Sequence, residues 1–194
     1  DGASLTYVGS KVRSCEQVGF KSTLVKLPEN IKEKHLLSRI AELNDDKEID
    51  GFIVQLPLPK HIDEEKILLA INPNKDVDGF HPTNFGKMAL NMKTFIPATP
   101  FGIMELLKRY KIETSGKNTV VIGRSNIVGR PISILMNSKG SPGDSTVTVV
   151  HSRTVNLESY TKNADIIISA LGIPGFVKKE MVKEGVVIID VGIT

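Results

Sequence analysis

Four short runs rich in β-branched residues, TVVIG, TVTVV, DIIISAL and VVIID, recur between residues 119 and 190 at intervals too long for hairpins. Continuous apolar runs of this kind suit strands buried on both faces, and parallel strands need long crossovers. The stretches between them carry helical spacing: RPISILMN (130–137), NLESYTKNA (156–164) and KKEMVKEG (178–185). The expected fold class is α/β, with most of a doubly wound, Rossmann-like sheet in the second half of the chain.

The first half alternates in the same way. Leu5, Val8, Val12 and Cys15 recur at helical spacing from Ser4, and Gly19 closes that helix. FKSTLVKL (20–27) reads as a short strand, IKEKHLLSRIAELN (31–44) as an amphipathic helix with Leu36, Leu37, Ile40 and Leu43 on one face, and GFIVQL (51–56) as a buried parallel strand. HIDEEKILLAIN is helical up to Pro73, and a turn-rich stretch follows over residues 72–87. Thr99 is expected to cap, and Pro100 to open, a helix over FGIMELLKRYKI. The boundary between two α/β domains falls near residue 98, giving domains 1–98 and 99–194.

Composition narrows the function classes. No apolar run approaches the roughly 20 residues that span a bilayer. A net charge of +3, spread along the chain, gives no nucleic-acid footprint but does not oppose an anionic small molecule. The single cysteine, Cys15, forms no intrachain disulfide and fits a reducing compartment. The start at Asp1 lacks a signal-peptide layout, and GVVIIDVGIT stops where a loop should begin, so the expectation is the middle of something longer.

The stretch TVVIGRSNIVGRPISIL (119–135) reads as strand, glycine loop and helix, the arrangement that turns backbone N–H groups toward phosphate. Only Gly123 and Gly129 are present where G-x-G-x-x-G is usual, so spacing alone does not separate a cofactor loop from an ordinary turn. The next strand decides between them. NAD sites carry a carboxylate at its tip, whereas here TVTVV ends in His151, Ser152, Arg153 and Thr154. Hydroxyls and a fixed cation would receive a 2′-phosphate, so the reading is NADP. Arg124 and Arg153 also have a plainer reading as solvated charges, and His151 as a neutral imidazole packed at a strand end.

Three further features are weak one by one. Tyr7 and Lys11, four apart on one helix, lie off its apolar stripe. Gln55 closes a run expected to be a strand, and strand carboxyl ends are where α/β sheets hold ligands. Asp78 sits in the turn DVDGF, where an Asx-turn residue is the plain alternative.

Together with TYVGSK, VQLPLPKH, NPNKDVDGFHP, PATPFGI, GRSNIVGRP, VTVVHSRT and DVGI, in that order, these residues resemble the bifunctional methylenetetrahydrofolate dehydrogenase/cyclohydrolases. The resemblance covers essentially the whole chain. It implies a folate-binding catalytic domain and an NADP domain joined by long helices, with a cleft holding folate and NADP. It implies a cytoplasmic homodimer acting on a small folate, with no nucleic-acid or membrane partner and no metal. Lys11 matches the catalytic lysine, and Tyr7 the aromatic that stacks on the aminobenzoyl ring. Gln55, with Val54 and Leu56, matches the substrate-contacting segment that tunes the lysine. Asp78 matches the carboxylate that binds the pterin edge. Gly123, Arg124, Ser125, Ser152 and Ile193 match cofactor positions, beside Arg153 from the residue reading.

The chain departs from the family pattern in four places. Ala98 stands where many members have cysteine, the loop SKGSPGDS is long, and the family's opening segment and Pro-Gly-Gly-Val-Gly segment are not in the sequence. Rival readings are another two-domain NADP-dependent dehydrogenase of shikimate type and an inactive NADP- or folate-binding module.

Overall fold

The computed structural model describes residues 2–192, with side chains from Val8 onward. The chain forms two compact units, Asp1–Ile71 and Asn72–Thr194. This division by compactness follows Ile71 because the segment after Asn72 contains a helix that packs on the sheet unit.

In the first unit, α1 (Gly2–Gln17) ends at Gly19, whose φ of 80° lets the Phe20 N–H reach the Cys15 carbonyl at 2.8 Å. Val8, Val12 and Cys15 are half-buried rather than core. Residues 20–27 do not form the expected strand. Phe20, Leu24, Val25 and Leu27 are exposed, and among the described residues no strand pairs with the segment. β propensity without a ladder partner does not make a strand.

The core of this unit lies between α2 (Glu33–Asp45) and α3 (Glu64–Ala70). Leu36 and Ile40 of α2 meet Ile62, Ile67 and Ile71, with Phe52, Val54 and Leu58 packed at the margin. Asp63 caps α3 by accepting the Lys66 N–H. Residues 51–56, expected as a strand, form none, although their apolar side chains are partly buried. Burial in an irregular segment produces the same apolar run as a strand does.

In the second unit, the stretch expected to be turn-rich contains α4 (Pro82–Ala89). The His81 ring accepts the Thr83 N–H, and Pro82 opens the helix. Helix α5 (Ala98–Arg109) starts one residue before Thr99, so Thr99 lies inside its first turn and the capping position belongs to Pro97.

Strands β1 (Asn118–Ile122), β2 (Thr146–Val150), β3 (Ile166–Ser169) and β4 (Val187–Asp190) then build a four-stranded parallel sheet of order β2-β1-β3-β4. Helix α6 (Gly129–Asn137) makes the first crossover, and α7 (Leu157–Thr161) the second. The third, KKEMVKEG, holds only a 3₁₀ turn at Lys179–Met181.

Each face of the sheet is covered. Val121, Ile166 and Ile168 meet Ile103 and Leu107 of α5 and Ile132 and Met136 of α6. Val120, Ile122, Val150 and Ile167 meet Ala164, with Leu157, Leu171 and Phe176 at the margin. That two-sided burial is why β1 and β3 are apolar at consecutive positions.

Candidate functional site

Strand order reverses between β1 and β3: the chain leaves β1 for β2 on one side and returns to β3 on the other. Ligands of such sheets bind outside the carboxyl ends at this point. Gly123 sits there with φ 115°, and a Cβ on it would lie 2.7 Å from the Ala170 carbonyl oxygen. A Cβ on Gly129 would meet the Gly123 oxygen at 2.3 Å. The two glycines thus pack the strand end against the helix start, leaving no side chain over the turn.

Ser125 holds the loop between them. Its Oγ accepts the Val128 N–H at 3.1 Å and the Gly129 N–H at 3.3 Å, and its carbonyl accepts the Arg130 N–H. It does the work of a helix cap that Val128, at the formal capping position, cannot do.

The register pairs Ile122 with Val150, so Gly123 and His151 leave adjacent strands side by side. Residues 151–154 form a closed turn. Thr154 Oγ1 accepts the His151 N–H at 2.9 Å, the His151 carbonyl accepts the Thr154 N–H, and His151 Nδ1 accepts the Arg153 N–H at 3.2 Å. His151 is therefore a turn-holding imidazole at a strand end. Ser152, Arg153 and Arg124 are exposed. Among the described residues neither arginine is held by a carboxylate. Ile193 lies outside the described residues.

In the first unit, Lys11 is half-buried on α1, while the side chain of Tyr7 lies outside the described ones. Val54 packs at the edge of the α2–α3 core. Gln55 donates from Nε2 to the Leu56 carbonyl at 2.8 Å, and its Oε1 is buried without a hydrogen-bond partner. An orphaned buried acceptor of this kind marks a place for a donor.

Asp78 belongs to the second unit and is half-buried. The carboxylate that holds its turn is Asp76, 2% exposed, which accepts the His81 N–H at 2.8 Å, the Phe80 N–H at 3.3 Å and Asn84 Nδ2 at 2.8 Å. The sequence reading missed Asp76. The signal was available in DVD: two acids straddling one residue before a turn glycine, of which one must satisfy the turn's N–H groups.

Compared with known proteins, residues 97–194 match the family model "Tetrahydrofolate dehydrogenase/cyclohydrolase, NAD(P)-binding domain", and residues 1–78 match its "catalytic domain". The chain belongs to the tetrahydrofolate dehydrogenase/cyclohydrolase family. A family relative, the Bifunctional protein FolD of Flavobacterium johnsoniae, is 74% identical over all 194 residues, which span 66% of its length. The crystal structure of the bifunctional enzyme FolD from Campylobacter jejuni is 48% identical with a TM-score of 0.94, covering 100% of this chain and 68% of that one. The Trypanosoma brucei methylenetetrahydrofolate dehydrogenase-cyclohydrolase, solved with NADP and an inhibitor, is 37% identical with a TM-score of 0.93, over 99% of this chain and 65% of that one. These likenesses, across both halves, favour neither the shikimate-type reading nor an inactive module.

Proposed function

We propose that the protein oxidises 5,10-methylenetetrahydrofolate to 5,10-methenyltetrahydrofolate with NADP and then hydrolyses the methenyl group to give 10-formyltetrahydrofolate. The observation that carries the cofactor half is the pair of exposed arginines, Arg124 and Arg153, at adjacent strand ends where an NAD site would have a carboxylate. The glycines pack the strand-to-helix turn backbone on backbone, since a Cβ at Gly123 or Gly129 would displace backbone, and they put no side chain between the loop and a cofactor phosphate.

When bound, the oxidised nicotinamide supplies the hydride acceptor. Gly123, Arg124, Ser125, Ser152, Arg153 and Ile193 would hold the cofactor. Tyr7, Val54 and Leu56 would seat the folate, and Asp78 would accept the adjacent N–H donors of the pterin edge. In the hydrolytic step water adds to the methenyl carbon and gives one proton to the Lys11 amine. The ring C–N bond then opens as the adduct's hydroxyl loses its proton to solvent to become the formyl carbonyl, and the Lys11 ammonium protonates the released nitrogen. Gln55, whose Oε1 has no partner, offers an acceptor to an ammonium without the fixed charge of a carboxylate.

On this reading the enzyme works as a cytoplasmic homodimer in one-carbon metabolism, supplying formyl groups for purine biosynthesis. Family membership supports it. Among the described residues no helix is long and apolar enough to cross a membrane, and no His/Cys/Asp/Glu cluster suits a metal.

The test is steady-state oxidation of methylenetetrahydrofolate with NADP and NAD in parallel. A clear preference in kcat/KM for NADP is expected. Reduction of neither nicotinamide would instead mark an inactive binding module.

A further inference from the structure

We propose that Asp76, Asn84 and Thr94 form a buried positioning network that fixes the turn carrying Asp78, and so sets how well the folate is held. This rests on the role proposed for Asp78. The network is continuous. Asn84, 3% exposed, donates from Nδ2 to Asp76 Oδ2 and to the Pro73 carbonyl, each at 2.8 Å. Its Oδ1 accepts from Thr94 Oγ1 at 2.8 Å. Asp76 in turn receives the N–H groups of Phe80 and His81, which bracket the far side of the turn. The turn therefore has polar anchors before and after Asp78.

Gly79 sets the turn's depth. At φ 68° it lies in the left-handed region, and a Cβ there would meet the Phe95 carbonyl oxygen at 2.8 Å and the Pro97 nitrogen at 3.0 Å. Backbone packed that closely cannot shift continuously. It stays in place only while Asn84 and Thr94 hold the two sides at their present spacing. Asp76 and Asn84 are too deep to meet a ligand, so their effect on catalysis passes through the position of Asp78.

Thr94 gives the cleanest test. Thr94→Val keeps the shape and removes the hydroxyl, whereas Thr94→Ser keeps the hydroxyl. In the full-length protein, Thr94→Val should lower kcat/KM for the folate on the order of tenfold, the effect expected of a sub-ångström displacement of a binding group. NADP affinity should stay unchanged, and Thr94→Ser should behave like wild type. Asp76→Ala should show a larger loss of the same kind, but Thr94→Val decides the matter if that variant does not fold.

Asp78→Ala is measured beside them. If Asp78→Ala is impaired while Thr94→Val has wild-type folate kinetics, the network is structural only and the inference is overturned, with the function intact. Equal weakening of NADP and folate in Thr94→Val overturns it too, since the defect is then global. Wild-type kinetics in Asp78→Ala overturn the role proposed for Asp78 and the inference with it.

Discussion

Arg124 and Arg153 lie in the loops that follow adjacent strands, exposed and without a carboxylate partner among the described residues, so each can give its charge to a ligand. Replacing either by alanine should weaken NADP by about 1.5 kcal/mol, the lower end for hydrogen bonds to charged groups because both sites are open to solvent. NAD, which lacks the 2′-phosphate, should bind as before. Parallel titrations with the two cofactors check this, and equal loss for both would assign the arginines to the pyrophosphate.

At the opposite end of the sheet, Asp165 immediately precedes β3. It pairs with Lys183 at 2.5 Å and accepts the Asn118 N–H at 2.8 Å, and these two bonds, the lysine first, hold its carboxyl below the usual range. A lowered folded pKa means that the unfolded chain binds the extra proton. The stabilisation is thus full above the unfolded carboxylate pKa of about 3.9, and is lost as pH falls through the folded value. Asp165→Asn should be less stable than wild type at neutral pH, with the gap closing in acid. Denaturant midpoints across pH 2–7, on the order of one point per unit, would follow it. A constant gap would contradict the assignment.

The glycines of the β1–α6 turn were readable because chemistry restricts a position to glycine where a Cβ has no room, and the arginines because the proposed phosphate site asks for fixed cations. DVD signalled that one of its two acids must satisfy the turn's N–H groups, but no local pattern says which, and Asp76 takes that task.

Elements of the sheet were readable in position and type. Strands buried on both faces leave a continuous apolar run, and amphipathic crossovers separate the runs. Residues 20–27 and 51–56 carry the same signal without forming strands, since a ladder needs a partner that a local run cannot supply. Helix α4 was hidden among turn formers: its cap is a histidine ring, and its short sequence PTNFGKMA contains a glycine and follows a run of turn residues. Thr99 resembled a cap but lies inside α5.

At the junction of β1 and α6, backbone packs on backbone beside the loop proposed to hold the cofactor. Gly129→Ala puts a methyl 2.3 Å from the Gly123 oxygen and 2.8 Å from Arg124 Cα, backbone that cannot rotate away. The loop must shift, at a cost of about 1–3 kcal/mol in stability. Because the loop serves the part common to both cofactors, NADP and NAD should weaken together, unlike in the arginine variants. Thermal unfolding with binding of both nicotinamides would check it, and wild-type binding of either would contradict the assignment.

For the molecule as a whole, the two compact units divide the labour of the proposed reaction: Lys11 and Gln55 lie in Asp1–Ile71, and the cofactor residues in Asn72–Thr194. Asp78 falls in the second unit although the family's catalytic-domain match runs through it, to residue 78. Compactness divides the chain at Ile71/Asn72 because α4 packs against α6, whereas the family's NAD(P)-binding match begins at residue 97, beside the boundary expected near residue 98. If the division of labour is right, hydrolysis and cofactor binding are separable by one substitution. The most direct measurement is methenyltetrahydrofolate hydrolysis by full-length Lys11→Met, with NADP affinity determined on the same sample. The account predicts that hydrolysis is lost while NADP binds as in wild type. Wild-type hydrolysis, or loss of NADP binding along with it, would contradict the account.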